Sequence, residues 1–163
     1  MAMFIDPEAA AYGVFQIAFA TMDTRLSRSL VHLCRCESTK FTFAIPSTMP
    51  FGRRLEKLRQ VIKSVERKLP KDPDIHELKT ACGLAESVQK WRNNRIHAEV
   101  RFDENRPVLV DRDGKPLQLD REECEQKIRQ AIRAGITIEA STRGIVAFLQ
   151  DLDEFGESPE SAF

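Results

Sequence analysis

Apolar residues recur at intervals of three and four along four separate stretches of this chain, and that spacing constrains the fold more than any other feature. In the first stretch Ala11, Val14, Phe15, Ala18, Phe19, Met22, Leu26, Leu30 and Leu33 keep the rhythm. A helix turns about 100° per residue, so these positions share one face, and that face needs a partner. Asp6-Pro7-Glu8 opens the stretch with an N-cap acceptor, a proline at the first helical position and an acid in the first turn. The predicted helix covers 6–34. A second, over 51–69, carries Leu55, Leu58, Ile62, Val65 and Leu69 inward and stops at Pro70. Asp72-Pro73 repeats the opening signature and starts a third helix, predicted over 73–102. Asp120, with Glu123 placed to close a capping box, starts a fourth over 121–153. Cys124, Ile128, Ala131, Ile132, Ile136, Ile138, Ile145, Phe148, Leu149 and Leu152 supply its apolar surface, and Gly135 and Gly144 predict a kink or break.

The connections are less regular. Residues 38–50 read as a loop in which Phe41, Phe43 and Ile45 alternate, either pinning it to the core or pairing briefly as a strand. Residues 107–119 read as a β-hairpin: two short apolar runs, 108–110 and 117–119, flank Asp113-Gly114, which supplies the positive backbone angles of a tight turn. Pro116 restricts the second run to an edge. The fold class is therefore all-α, a four-helix bundle with a small β-hairpin between the third and fourth helices, in one domain spanning 1–163.

Charge and composition remove several function classes. Formal net charge is zero, so nothing global favours a polyanion partner. Locally, 51–71 carries eight basic residues, among them Arg53, Arg54 and Lys57, against Glu56 and Glu66 alone, while the end of the chain from Asp151 is acidic. The apolar run near the N-terminus is too short to span a bilayer and no basic leader precedes it, so a cytoplasmic protein without membrane association is expected. Four cysteines in no disulfide-framework pattern fit a reducing compartment. His32, Cys34 and Cys36 alternate, but residues two apart on a helix point in different directions, and a fourth ligand is not evident. No metal site and no cofactor is expected.

The stretch WRNNRIHAEV, residues 91–100, carries the chemistry. With Ala81, Leu84, Val88, Trp91, Ala98 and Phe102 as the core stripe of the third helix, Arg95 falls in that stripe and Arg92 at its border. Asn93 and His97 stack one turn apart on another face, and Arg101 continues it. A buried guanidinium costs several kcal/mol unless it is paired, so these arginines need partners, water or an interface; Glu99, four residues after Arg95, is one candidate partner. Histidine exchanges protons near neutral pH, arginine holds phosphate in a planar fork, and asparagine can fix an imidazole tautomer. With no carboxylate pair and no metal set, the combination suits RNA, whose 2′-hydroxyl is its own nucleophile.

Arg92-Asn93-Asn94-Arg95-Ile96-His97 resembles the signature of HEPN-domain proteins: an arginine, a polar residue, three more residues, then a histidine. The resemblance implies a helical bundle with the motif on a late core helix, metal-independent endoribonuclease activity as found in toxin and antiviral defence proteins, and a homodimer whose two motifs face one cleft. The last point matters, because Arg92 and His97 stand about 140° apart on an ideal helix and meet more readily between subunits than within one. By this resemblance His97 is the general acid or base, Arg92 clamps the scissile phosphate and Asn93 orients the histidine. Arg95, Arg101, Arg53, Arg54 and Lys57 would hold RNA, and an antitoxin or regulatory protein is a further partner. In members modified by a nucleotidyltransferase partner, a tyrosine follows the histidine by two residues; here Glu99 stands there and the chain's single tyrosine is Tyr12. The alternative function is a non-catalytic helical module that uses the same arginines to bind a nucleotide, RNA or a protein.

Overall fold

The computed structural model describes residues 7–36, 49–96, 99–103, 106–110, 114–116 and 120–156. Four helices form a bundle: α1 (Pro7–Cys36), α2 (Phe51–Lys68), α3 (Pro73–Ile96) and α4 (Arg121–Gly156). A two-stranded antiparallel sheet, β1 (Glu99–Asp103) and β2 (Arg106–Val110), lies between α3 and α4 in sequence. Phe41, Phe43 and Ile45, the expected N-cap Asp6, and the expected second hairpin run 117–119 fall outside the described residues.

The helix directions follow from their contacts. Met22 meets Gly135 and Arg25 pairs with Glu139, so α1 and α4 run side by side in the same sense. Phe19 meets Phe51 and Asp23 pairs with Arg54, so α2 shares that sense. Gln89 lies against Gly52, Glu86 pairs with Arg59 and Lys79 with Glu66, which makes α3 antiparallel to the other three. The tight α2–α3 turn places Lys71 at φ 72°, a left-handed conformation usually left to glycine. Asp72 caps α3 by accepting from the Asp74 amide at 2.8 Å, and Asp120 caps α4 by accepting from Glu122 at 2.9 Å.

The core contains Phe15, Met22, Leu26, Leu30, Leu33, Leu55, Leu58, Ile62, Leu78, Ile138 and Ile145, all at most 2 % exposed. All five residues of the expected α2 stripe are buried. On α3 the core also takes Ile75, Leu78, Cys82 and Ala85, because α3 packs against α2 on one side and α4 on the other and so buries two stripes. Val14, expected inward, is 52 % exposed, standing about 100° round the helix from buried Phe15. Ile132, Ile136 and Phe148 are exposed as well: the apolar arc of α4 is wider than the surface its neighbours cover.

Two expectations are corrected. The third helix does not reach 102; it gives way to β1 by Glu99, so Phe102 and Arg101 belong to a strand. The expected pairing of 108–110 with 117–119 falls partly outside the described residues. Within them, β2 pairs with β1 in the register Glu99 with Val110 and Asp103 with Arg106. The chain does turn back afterwards: Gly114 has φ 78°, and Pro116 makes a single bridge to Val110. Finally, α4 is continuous through Gly135 and Gly144. Those glycines admit close neighbours: a Cβ on Gly135 would lie 3.2 Å from the Met22 Cα, and one on Gly144 would overlap the Asp74 carboxylate.

Three outcomes test this packing. Gly83 is exposed in mid-helix with nothing within 4 Å of an added Cβ, so Gly83→Ala stabilises by about 0.5–1 kcal/mol in urea denaturation through helix propensity. Gly135→Leu destabilises by about 1–3 kcal/mol, because backbone of α1 occupies the space. Burial pushes the Cys82 thiol up to about 12, so at pH 8 it stays protonated and escapes thiol labelling until the protein unfolds.

Candidate functional site

One end of the bundle gathers the C-terminal turns of α3, the N-terminal half of α1 and the first turn of α4. Trp91 is its anchor. Its ring meets Phe15 edge-on at 4.6 Å between centroids and Tyr12 at 6.3 Å. Its Nε1–H donates to Glu123 Oε1 at 2.7 Å.

Arg95 does turn inward, as its place in the stripe requires: its side chain is 12 % exposed. It lies flat on Trp91, with the guanidinium carbon 3.8 Å from the ring centroid. Its NH2 donates to Glu123 Oε2 at 2.5 Å and its NH1 to the Trp91 carbonyl at 3.4 Å. The described partner that burial required is Glu123 on α4. Glu123 consequently is not the second half of a capping box; its two oxygens serve Trp91 and Arg95.

Arg92 is placed differently. Its Nε donates to Gln16 Oε1 at 3.1 Å and its guanidinium carbon lies 4.5 Å from the centre of the Phe19 ring. Among the described residues no carboxylate pairs with it. It is half-buried, and among the described residues no hydrogen bond holds its two terminal nitrogens. Tyr12, beside this pair, has its hydroxyl pKa raised by burial, against the pull of the Gln16 side chain and of the positive charges on Arg92 and Arg95.

The other predicted residues are spread more widely. Asn93 is half-buried on the same turn as Arg92. His97 lies outside the described residues, directly after Ile96. Arg101 is on β1, so it does not extend a helical face beyond His97. Arg54 is drawn inward: its side chain is 14 % exposed, with NH2 2.7 Å from Asp23 Oδ2 and NH1 2.6 Å from Ser27 Oγ. It ties α2 to α1 and is not part of an outer basic face. Arg53 is exposed beside Glu56, and Lys57 is exposed and donates to Gln60. Arg59 reaches Glu86 on α3, whose carboxyl it holds below the usual range with help from Lys90. The basic run is thus partly neutralised by neighbouring helices. Tyr12, Gln16, Phe19 and Glu123 were not legible as site residues, since nothing in their local sequence marks a partner many residues away.

Because one carboxylate serves both Trp91 and Arg95, Trp91→Phe and Glu123→Gln are each expected to destabilise by about 1–3 kcal/mol, the range for hydrogen bonds to charged groups. A double-mutant cycle read by denaturant melts should give a coupling of about 1 kcal/mol; additive effects would mean the contact carries no energy.

No family model matches the chain, and no curated protein or solved structure matches it.

Proposed function

We propose that this chain is a metal-independent endoribonuclease of the HEPN type, working in the cytoplasm as a homodimer under the control of an antitoxin or other regulatory protein. The observation that carries the proposal is Arg92: a guanidinium oriented by Gln16 and Phe19, without a carboxylate among the described residues, five residues before His97. A cation held in place but not neutralised is what a phosphate clamp requires, because little reorganisation accompanies the charge that develops during reaction.

In this mechanism His97 takes the proton of the 2′-hydroxyl, and the 2′-oxygen attacks the adjacent phosphorus. The bond to the 5′-oxygen breaks, a proton goes to that leaving oxygen, and a 2′,3′-cyclic phosphate and a 5′-hydroxyl result. Arg92 donates to the phosphoryl oxygens throughout. Asn93 orients the imidazole. Arg95 acts indirectly, since Glu123 already balances its charge; it supports Trp91 and the shape of the site. Lys57, Arg53 and Arg101 are the remaining candidates for backbone contacts, which would make binding sensitive to salt.

A second proposal is favoured by the same Arg95–Glu123 pair. It leaves one uncompensated cation where two were counted, which suits a module that binds a nucleotide, RNA or a protein without turning it over.

Purified protein incubated with total RNA in EDTA separates the two on a gel. The ribonuclease gives EDTA-insensitive cleavage, lost in His97→Ala and reduced about a hundredfold or more in Arg92→Ala. Arg92→Lys should fall nearly as far, because an ammonium cannot hold both the Gln16 contact and the stack on Phe19. A mobility shift of intact RNA supports the binder. Unchanged cleavage by His97→Ala rejects the catalytic assignment, and a monomer in light scattering at micromolar concentration rejects the dimer.

A further inference from the structure

A second feature lies on the seam between α1 and α4, toward the other end of the bundle. A cleft of about 300 Å³ is lined by Arg28, Ser29 and His32 of α1 and by Glu139, Thr142 and Arg143 of α4, with Val146. Gln16, which orients Arg92, precedes His32 by sixteen residues of one continuous helix, about 24 Å at 1.5 Å per residue. The cleft is therefore separate from the Arg92 site.

Its charge balance favours an anion. Glu139 is the one carboxylate in the lining, and two arginines already share it: Arg25 Nε at 3.3 Å from Oε2 and Arg143 NH2 at 2.5 Å from Oε1. Arg28 has no counter-ion among the described residues and is exposed at the rim, beside His32. The mouth of the cleft thus carries more positive charge than its carboxylate balances.

Its wall carries an independent sign. Thr142 is 2 % exposed, and its Oγ1 is buried with no hydrogen-bond partner. A helical threonine usually turns its hydroxyl to the carbonyl four residues back. Here that carbonyl, on Ile138, receives the Ser29 hydroxyl at 3.5 Å. An orphaned hydroxyl costs free energy in the folded protein. Thr142 lines the cleft, and because threonine in a helix has two accessible χ1 wells, its hydroxyl can reorient without giving up any bond.

We propose that this cleft binds the phosphate group of a small phosphorylated ligand, with Arg28 and Arg143 as cationic donors, His32 at the rim and the Thr142 hydroxyl as a donor from the wall. Its volume sits at the small end of ligand pockets, which suits a phosphate or a mononucleotide rather than a polymer. The site is independent of the ribonuclease proposal.

Calorimetric titration at fixed ionic strength tests it with inorganic phosphate, adenosine monophosphate and adenosine as probes. Phosphate and the nucleotide should bind and adenosine should not. Nucleotide binding much tighter than phosphate would identify a nucleotide as the source of the group; equal affinities would identify free phosphate. Arg28→Ala should weaken binding about tenfold or more, the scale of one charge-assisted arginine–phosphate contact. Thr142→Val should weaken it as well while leaving the melting temperature unchanged or higher, because an unsatisfied hydroxyl is removed. No heat with millimolar phosphate or nucleotide, or full affinity in Arg28→Ala, overturns the site; a thermal melt of each variant confirms that lost binding is not lost fold.

Discussion

A guanidinium withdrawn from water needs a carboxylate, and the end of this bundle is organised by that requirement. Arg95 sits in the stripe that α3 turns inward, and α4 answers it with Glu123 from its first turn. The same carboxylate takes the indole N–H of Trp91, so one residue of α4 fixes two of α3. Trp91, held in this way, packs on Phe15 and stands near Tyr12 of α1. Three helices are thereby brought into register around one ionised group. Removing the carboxylate leaves the inward-turned Arg95 charge uncompensated, which costs more than the pair contributes over an apolar substitute. Its value is in specifying which turn of α4 meets which turn of α3.

The same demand explains why a count of basic residues overstated the free positive charge on α2. Arg54, buried against α1, is matched by Asp23, and Arg59 and Lys79 make half-exposed pairs with Glu86 and Glu66 across the α2–α3 boundary. Exposed pairs of this kind contribute little to stability, typically about 0–1 kcal/mol. They do remove cations from the set that could meet a phosphate. Linear sequence reports charge per residue but not where the opposite charge stands, and here much of it stands on the next helix.

Local signals were legible where one stretch of chain determines the outcome. Asp72 and Asp120 cap the helices they precede, and the α2 stripe is buried as its spacing requires. Failures came where two signals overlapped or where a distant partner decides. Ala98 and Phe102 continue the helical spacing, but Val100 and Phe102 also alternate with Glu99, Arg101 and Asp103, and the two-residue period prevails once β2 offers a complement. Gly135 and Gly144 weaken a helix in isolation; in the bundle they allow Met22 and Asp74 to come close, which no local rule reveals. Glu123 has the spacing of a capping box, yet an arginine and an indole from α3 offer it stronger donors than a backbone amide.

Arg92 and Arg95 are three residues apart and alike in any sequence count, but their surroundings assign them opposite tasks. Arg95 has a carboxylate, an aromatic face and a backbone carbonyl, so an incoming phosphate would have to displace Glu123 from a contact it can hardly leave. Arg92 has an amide oxygen on one nitrogen and a phenyl ring beneath it, neither of which carries charge. Gln16 and Phe19 restrict its rotamers, so the entropy of ordering a long side chain is largely lost on folding rather than on binding. A neutral mount for a cation preserves its field for a ligand, whereas a charged mount cancels it. That difference, and not the number of arginines in the motif, is what the proposed phosphate clamp at Arg92 rests on.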